Sequence, residues 1–262
     1  MTALFPETPR EHYAKAPLVQ VVCQLKFPKL LRIETSLPAE FQELIRGRFP
    51  LMQQVSNLPV NLPPEVSLML GQQASQANYQ FTTEDGSYTV ALSSESLSLT
   101  ALAYISWDLF VEHLTPAIEA LNKIYTPSFF NRAGLRYVDA IDRSKLGLAD
   151  APWSRLLKPQ LLGELSIPEF ELSLEGLAQR ALRLNNPDGT GSILLQHGIA
   201  QKMNSSEPVY FIDIDFFSEK KIEVQNAIDT LTHFNRLAGN AFRWCITDEL
   251  RNALEPSILL PR

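Results

Sequence analysis

The residues of this chain that could do chemistry gather in two short runs. The first is RAGLRYVDAI, which carries Arg132, Arg136 and Tyr137, with Arg143 just beyond it. An arginine set among apolar strand residues can grip a carboxylate or a phosphate through two parallel hydrogen bonds. The second run is VYFIDIDFF, where Asp213 and Asp215 alternate with Ile212, Ile214 and Phe216. Carboxylates two residues apart on a strand point the same way, and with a third ligand such as Asp139 they could hold magnesium. The structural alternative for both runs is plain. Alternation in a one-sided sheet turns Asp213 and Asp215 toward water with Phe211 and Phe217. Arg136 then has internal partners in Asp139, Asp142, Asp213 or Asp215.

Elsewhere the sequence offers little for catalysis. His113 and His233 fall in helical patterns and His197 in a strand two residues after Leu195, none beside a nucleophile, so packing or surface roles are expected for the four histidines. No serine sits in a G-x-S-x-G elbow. Cys23 and Cys245 lie in apolar runs with no neighbouring histidine, and two cysteines are too few for a structural zinc or a disulfide scaffold. NPDGTG reads as a hairpin turn rather than a phosphate cradle, since it lacks the lysine and the strand-to-helix setting of one. The expected ligand-binding residues are therefore Arg132, Arg136, Tyr137, Asp213 and Asp215, with no catalytic residue, metal or cofactor assigned.

The elements that must position these residues follow from periodicity. Leu18 to Phe27 is a strand, with Val19, Val21, Cys23, Leu25 and Phe27 on one face. Pro38 opens a helix that carries Phe41, Leu44, Ile45 and Phe49. Met52 to Gln76 is expected to be loop, with one short strand near Val66 to Leu70. Strands at Tyr79–Thr82, Ser87–Leu92 and Leu97–Tyr104 come next, the first two joined through Gly86. Ser106 caps a long helix through Tyr125 that contains the interrupting Pro116. The order then begins again. Gly134–Ile141 is a strand, Pro152 to about Leu162 a helix, and strands follow at Glu169–Leu174, Arg180–Leu184, Ser192–Gly198 and Val209–Phe217. Ser218 caps a second long helix, and Thr247 a short final one. The reading is an α+β fold of two pseudo-repeated halves, 1–128 and 129–262, each strand, helix, four antiparallel strands and long helix. Helices would pack on one face of the sheets, a layout similar to the saddle of the TATA-binding protein and to helix-grip domains.

Charge narrows the partner. The 262 residues carry 23 basic and 29 acidic side chains, a net charge of -6. From Met52 to Ala103 there is no lysine or arginine, while Glu65, Glu84, Asp85 and Glu95 are present. A sheet built there repels nucleic acid and suits a protein or a neutral small molecule. The N-terminal MTALFPETPREHY lacks the apolar run of about 7–15 residues of a secretory leader, and no segment reaches the roughly 20 apolar residues of a membrane span. A cytoplasmic protein without membrane contact is expected.

Five blocks carry a family resemblance: AKAPLVQVVCQLKFP, FQELIRGRFPLMQQ, SWDLF, RAGLRYVDAI and LTHFNRLAGNAFRWCITDELR. Together, and in this order, they resemble a sporadically distributed bacterial protein family with no assigned activity. The chain departs from the family pattern at Gln20, where an acidic residue is usual, and at Asp139, where asparagine is usual. The resemblance implies an accessory role near defence or toxin-control genes, and no substrate. The expected function is thus a non-enzymatic protein that binds a macromolecular partner, with a protein as that partner and pairing into a homodimer through a free sheet edge as a further contact. The alternative is a small-molecule or nucleotide-binding enzyme, with Arg132, Arg136 and Tyr137 on an anion and Asp213 and Asp215 supplying acid–base or metal chemistry.

Overall fold

A computed structural model describes residues 4–54, 79–174, 178–201 and 207–258. It is an α+β structure whose nine-stranded antiparallel sheet has the order β3-β4-β5-β6-β2-β7-β10-β9-β8. The strands are β1 (Glu11–Tyr13), β2 (Leu18–Lys26), β3 (Leu51–Gln54), β4 (Tyr79–Thr82), β5 (Tyr88–Leu92), β6 (Ser96–Ala101), β7 (Arg132–Ile141), β8 (Ala178–Asn185), β9 (Ser192–Gln201), β10 (Pro208–Ser218) and β11 (Pro256–Ile258). The helices are α1 (Leu31–Thr35), α2 (Ala39–Ile45), α3 (Trp107–Tyr125), α4 (Trp153–Leu156), α5 (Pro159–Leu162), α6 (Pro168–Leu172), α7 (Ala227–Cys245) and α8 (Asp248–Ala253). Contacts divide the chain into one unit of residues 1–21, 135–218 and 232–262, and a second of 22–134 and 219–231.

In the second unit β3 to β6 form consecutive antiparallel pairs. Their register puts Tyr79 and Phe81 beside Leu92 and Val90, and Val90 beside Leu99, so one face is apolar and buried. Onto it pack Phe41 from α2, 5.5 Å from Phe81 between ring centroids, and His113 from α3, stacked 4.0 Å from Tyr88. Ser106 caps α3 by accepting a hydrogen bond from Leu109 N, and α3 runs through Pro116 to Tyr125. Gly86 takes φ 73° in the β4–β5 turn, a conformation open to glycine at little cost. The strand expected near Val66 to Leu70 lies outside the described residues. Leu51–Gln54, expected to lie mostly in loop, is a strand with all four residues exposed.

In the first unit β8, β9 and β10 form a meander. Tyr210, Ile212, Ile214 and Phe216 share one face, and Phe216 meets Phe234 of α7 while Tyr210 meets Trp153 of α4. Buried positions Phe234, Ala238, Ala241 and Cys245 step along the part of α7 in this unit by three and four, the stripe that a half-buried helix requires. Here β1 pairs with β11, close to the two chain ends.

Three expected elements differ. Glu169–Leu174 is not a strand: α6 occupies Pro168–Leu172, with Pro168 at its first turn and Glu169 and Glu171 where the helix dipole favours acids. Phe170, Leu172 and Leu174 fit period two, but the proline start and the spacing of Ile167 to Phe170 fit a helix as well. Ser218 does not cap a helix. It ends β10, Ile222 then exchanges two backbone hydrogen bonds with Phe130, and a 3-10 turn over Val224–Asn226 leads into α7 at Ala227. The helix expected from Pro152 to Leu162 is broken at Leu157, which forms a bridge with Ile246, and Lys158 is extended ahead of Pro159.

Candidate functional site

β7 and β10 carry the charged residues into the interior. Arg136 donates from Nε to Asp213 Oδ1 at 2.7 Å and from Nη2 to Oδ2 at 2.5 Å, a bidentate pair whose side chains are only 8% and 7% exposed. Burial opposes the charge on Arg136, but the bonds to Asp213 outweigh it and the guanidinium is held above its usual pKa. Burial pushes Asp213 upward against the pull of Arg136. Both Asp213 oxygens nonetheless accept an N–H from a guanidinium that stays charged, and the pair is ionic.

The expectation that Asp213 and Asp215 face water with Phe211 and Phe217 is overturned. All four are buried, as is every residue of β10 after Pro208. An interior strand of a nine-stranded sheet has neighbours on both sides, and Arg183 lies over the Phe217 ring at 5.1 Å. The other expected site residues are placed apart. Tyr137 lies on the opposite face of β7 from Arg136, where Asn235 of α7 donates to its hydroxyl at 2.7 Å. Arg132, in the second unit, donates to Gln24 at 3.1 Å, and its guanidinium lies over Gly134, where any Cβ would collide with it. Only Arg136, Asp213 and Asp215 are brought together. Among the described residues no group of three or more histidine, cysteine, aspartate or glutamate side chains is arranged to hold a metal ion.

Asp139 is a further buried carboxyl, carried by β7 on the face opposite Arg136. Burial, with the charge of Asp213 added, pushes its pKa to about 8, which favours the neutral acid. Cys245 is fully buried and its thiol is pushed up by burial and by the Asp139 charge, so it is no nucleophile. Arg143 is clamped by Ala151 O at 2.6 Å and Glu171 at 3.0 Å, with its guanidinium over Trp153 at 4.3 Å. Glu171 also accepts from Trp153 N, which ties α6 to α4.

That tie positions a cavity of about 750 Å³ between the 161–174 segment and strands β8 to β10. His197 and Tyr210 line it, joined from Nδ1 to the hydroxyl at 2.8 Å. Burial, with Arg180 adding to it, lowers the His197 pKa to about 4, so the ring is neutral near pH 7. Arg180 and Glu164 form an ion pair at the rim, and the Arg180 guanidinium lies where a Cβ on Gly163 would be. Sequence reasoning missed this site. The one signal for it was the placement of His197 on the same face as Leu195, which put a polar ring on an apolar surface.

No helix of the described residues is long and apolar enough to cross a membrane. The chain is matched by no family model and by no curated protein at a significant level.

Proposed function

We propose that this chain is a non-enzymatic accessory protein that binds a protein partner, in the bacterial defence or toxin-control setting that its family resemblance implies. The observation that supports this reading is β3. It is the end strand of the sheet among the described residues, all four of its residues are exposed, and Leu51 and Met52 present apolar side chains to solvent. An edge strand offers a row of backbone donors and acceptors to an incoming extended segment. Exposed Leu31, Leu37 and Leu44 precede it in the chain. β3 lies within the span without lysine or arginine, Phe49 to Asn122, which carries acids, so the fitting partner segment is extended, apolar on alternate positions and basic.

The pseudo-repeated, saddle-like layout belongs to the same proposal. It is supported by two helices of 19 residues each, α3 after β3 to β6 and α7 after β8 to β10.

The test is capture of partners from native cells with the full chain as bait, beside the double variant Leu51→Lys, Met52→Lys. A stoichiometric partner retained by the parent and lost by the variant is the expected result. A chain that captures no stoichiometric partner and is monomeric in light scattering overturns the reading. A homodimer broken by the same two lysines would reassign the edge to self-pairing and would equally overturn the heterologous partner.

A further inference from the structure

The cavity in the first unit is built like a small-molecule site. Its volume of about 750 Å³ lies within the roughly 300–1,000 Å³ of ligand pockets. Its walls are mainly apolar, with Leu161, Leu165, Phe170 and Leu174 among them. Phe170 is 54% exposed at its own helix, α6, so an aromatic ring stands at the mouth where a bound apolar body would cover it. The ion pair of Arg180 with Glu164 neutralises the rim.

One polar atom has no use inside the protein. His197 is 3% exposed, and its Nδ1 is engaged by the Tyr210 hydroxyl. Its Nε2 has no hydrogen-bond partner among the described residues, and among them the side-chain nitrogens and oxygens sealed from solvent without a partner are limited to the Tyr88 hydroxyl. Nε2 is therefore neither bonded nor sealed, and His197 lines the cavity. Which role Nε2 plays depends on one proton. Tyr210 also lies 3.4 Å from the Leu161 carbonyl. If its hydroxyl donates there, Nδ1–H donates to Tyr210 and Nε2 accepts. If it donates to Nδ1, Nε2 carries the hydrogen and donates. A hydroxyl group serves both cases, because it donates and accepts.

We propose that this cavity binds a neutral amphipathic small molecule, an alcohol with an apolar body, whose hydroxyl bonds to Nε2 of His197. The apolar body fills the space under α5 and α6, and the rim ion pair leaves no unmatched cation for an acid headgroup. A neutral imidazole at the floor gains no ionic bond from a carboxylate and would leave that charge desolvated, so alcohols are preferred to acids of equal length.

The experiment uses the full chain with Nile red as the fluorescent probe and 1-decanol and decanoate as competitors. Saturable one-to-one Nile red binding is expected, with 1-decanol displacing it at a concentration at least tenfold below that of decanoate. His197→Phe should weaken 1-decanol about tenfold. Because that change also removes the bond to Tyr210, Ser173→Trp supplies a second variant: Ser173 is exposed on the lining and a tryptophan there fills the mouth. It should abolish probe binding while circular dichroism stays that of the parent. Probe binding that is absent, unsaturable or unchanged in Ser173→Trp overturns the site, and decanoate equal to 1-decanol overturns the assigned chemistry. The site stands apart from the partner-binding proposal, since the β3 lysine variants should bind Nile red as the parent does.

Discussion

Arg136 and Asp213, 77 residues apart in the chain, are joined by two parallel hydrogen bonds in the interior. The arginine fork that could have taken an external carboxylate or phosphate faces a carboxylate of the protein itself. With Tyr137 on the far side of the same strand, the geometry favours a structural role for this charge over an anion-binding one.

This pair gives the first prediction. Arg136→Ala leaves Asp213 buried without its partner and should destabilise the fold by about 3–5 kcal/mol. The double variant Arg136→Met, Asp213→Leu removes both charges and should recover most of that loss. Urea unfolding of the two variants and the parent measures both. A double variant as unstable as the single one would show that the charges contribute more than each other's neutralisation.

Asp139 should make stability depend on pH in its own direction. Its folded pKa of about 8 lies above its ordinary value of 3.8, so the neutral acid is favoured by folding. Its contribution is then complete below pH 3.8 and is lost as pH rises through 8. Asp139→Asn stays neutral throughout. The unfolding free-energy difference between variant and parent, read by urea denaturation, should grow in the variant's favour from pH 4 to pH 8, by about 4–6 kcal/mol. A flat difference would place Asp139 in water.

His197 acts in the opposite sense. Its folded pKa of about 4 lies below the ordinary 6.5, so the unfolded chain takes up the proton first. Stability attributable to the neutral ring is present above pH 6.5 and falls as pH drops toward 4. His197→Gln, which does not titrate, should remove that acid limb from the melting curve. The loss should be visible as a variant that gains on the parent below pH 6.

Gly198 tests the strand that walls the cavity. A Cβ there would strike the Ala178 carbonyl, which is backbone and cannot swing aside. Gly198→Ala should therefore cost about 1–3 kcal/mol, and should loosen β8 first because β8 is the sheet's other end strand and largely exposed. Amide hydrogen exchange in β8 and β9 reports this directly: faster exchange confined to residues 178–201 is expected, and unchanged rates would show that the backbone yields freely.

Local chemistry explains which features were legible in the sequence. Ser106 and Thr247 announced their helices because a cap acts within three residues, and both accept from the expected amides, Leu109 N and Leu250 N. The turns at Gly86 and at Asn186–Gly191 were legible for the same reason, as were the alternating strands Tyr79–Thr82 and Val209–Phe217. The failures share a cause. Glu169–Leu174 satisfies both a strand and a helical spacing over six residues, and the tie from Glu171 to Arg143 and Trp153 holds the helix. Ser218 looked like a cap because the next residues are helix-compatible, until Ile222 pairs with Phe130, 92 positions earlier.

The sequence by itself determined an α+β chain with one span poor in positive charge, two cysteines in apolar runs, and carboxylates two apart on one strand. Period, caps and composition are properties of near neighbours, and a chain carries them before it folds. Tertiary structure alone decided that Asp213 is paired rather than open, that Tyr137 and Arg136 face away from each other, and that His197 keeps one nitrogen for a cavity. Each of these depends on which distant strand or helix covers a given face, and desolvation, which sets the charge of Asp139 and His197, exists only once that cover is in place.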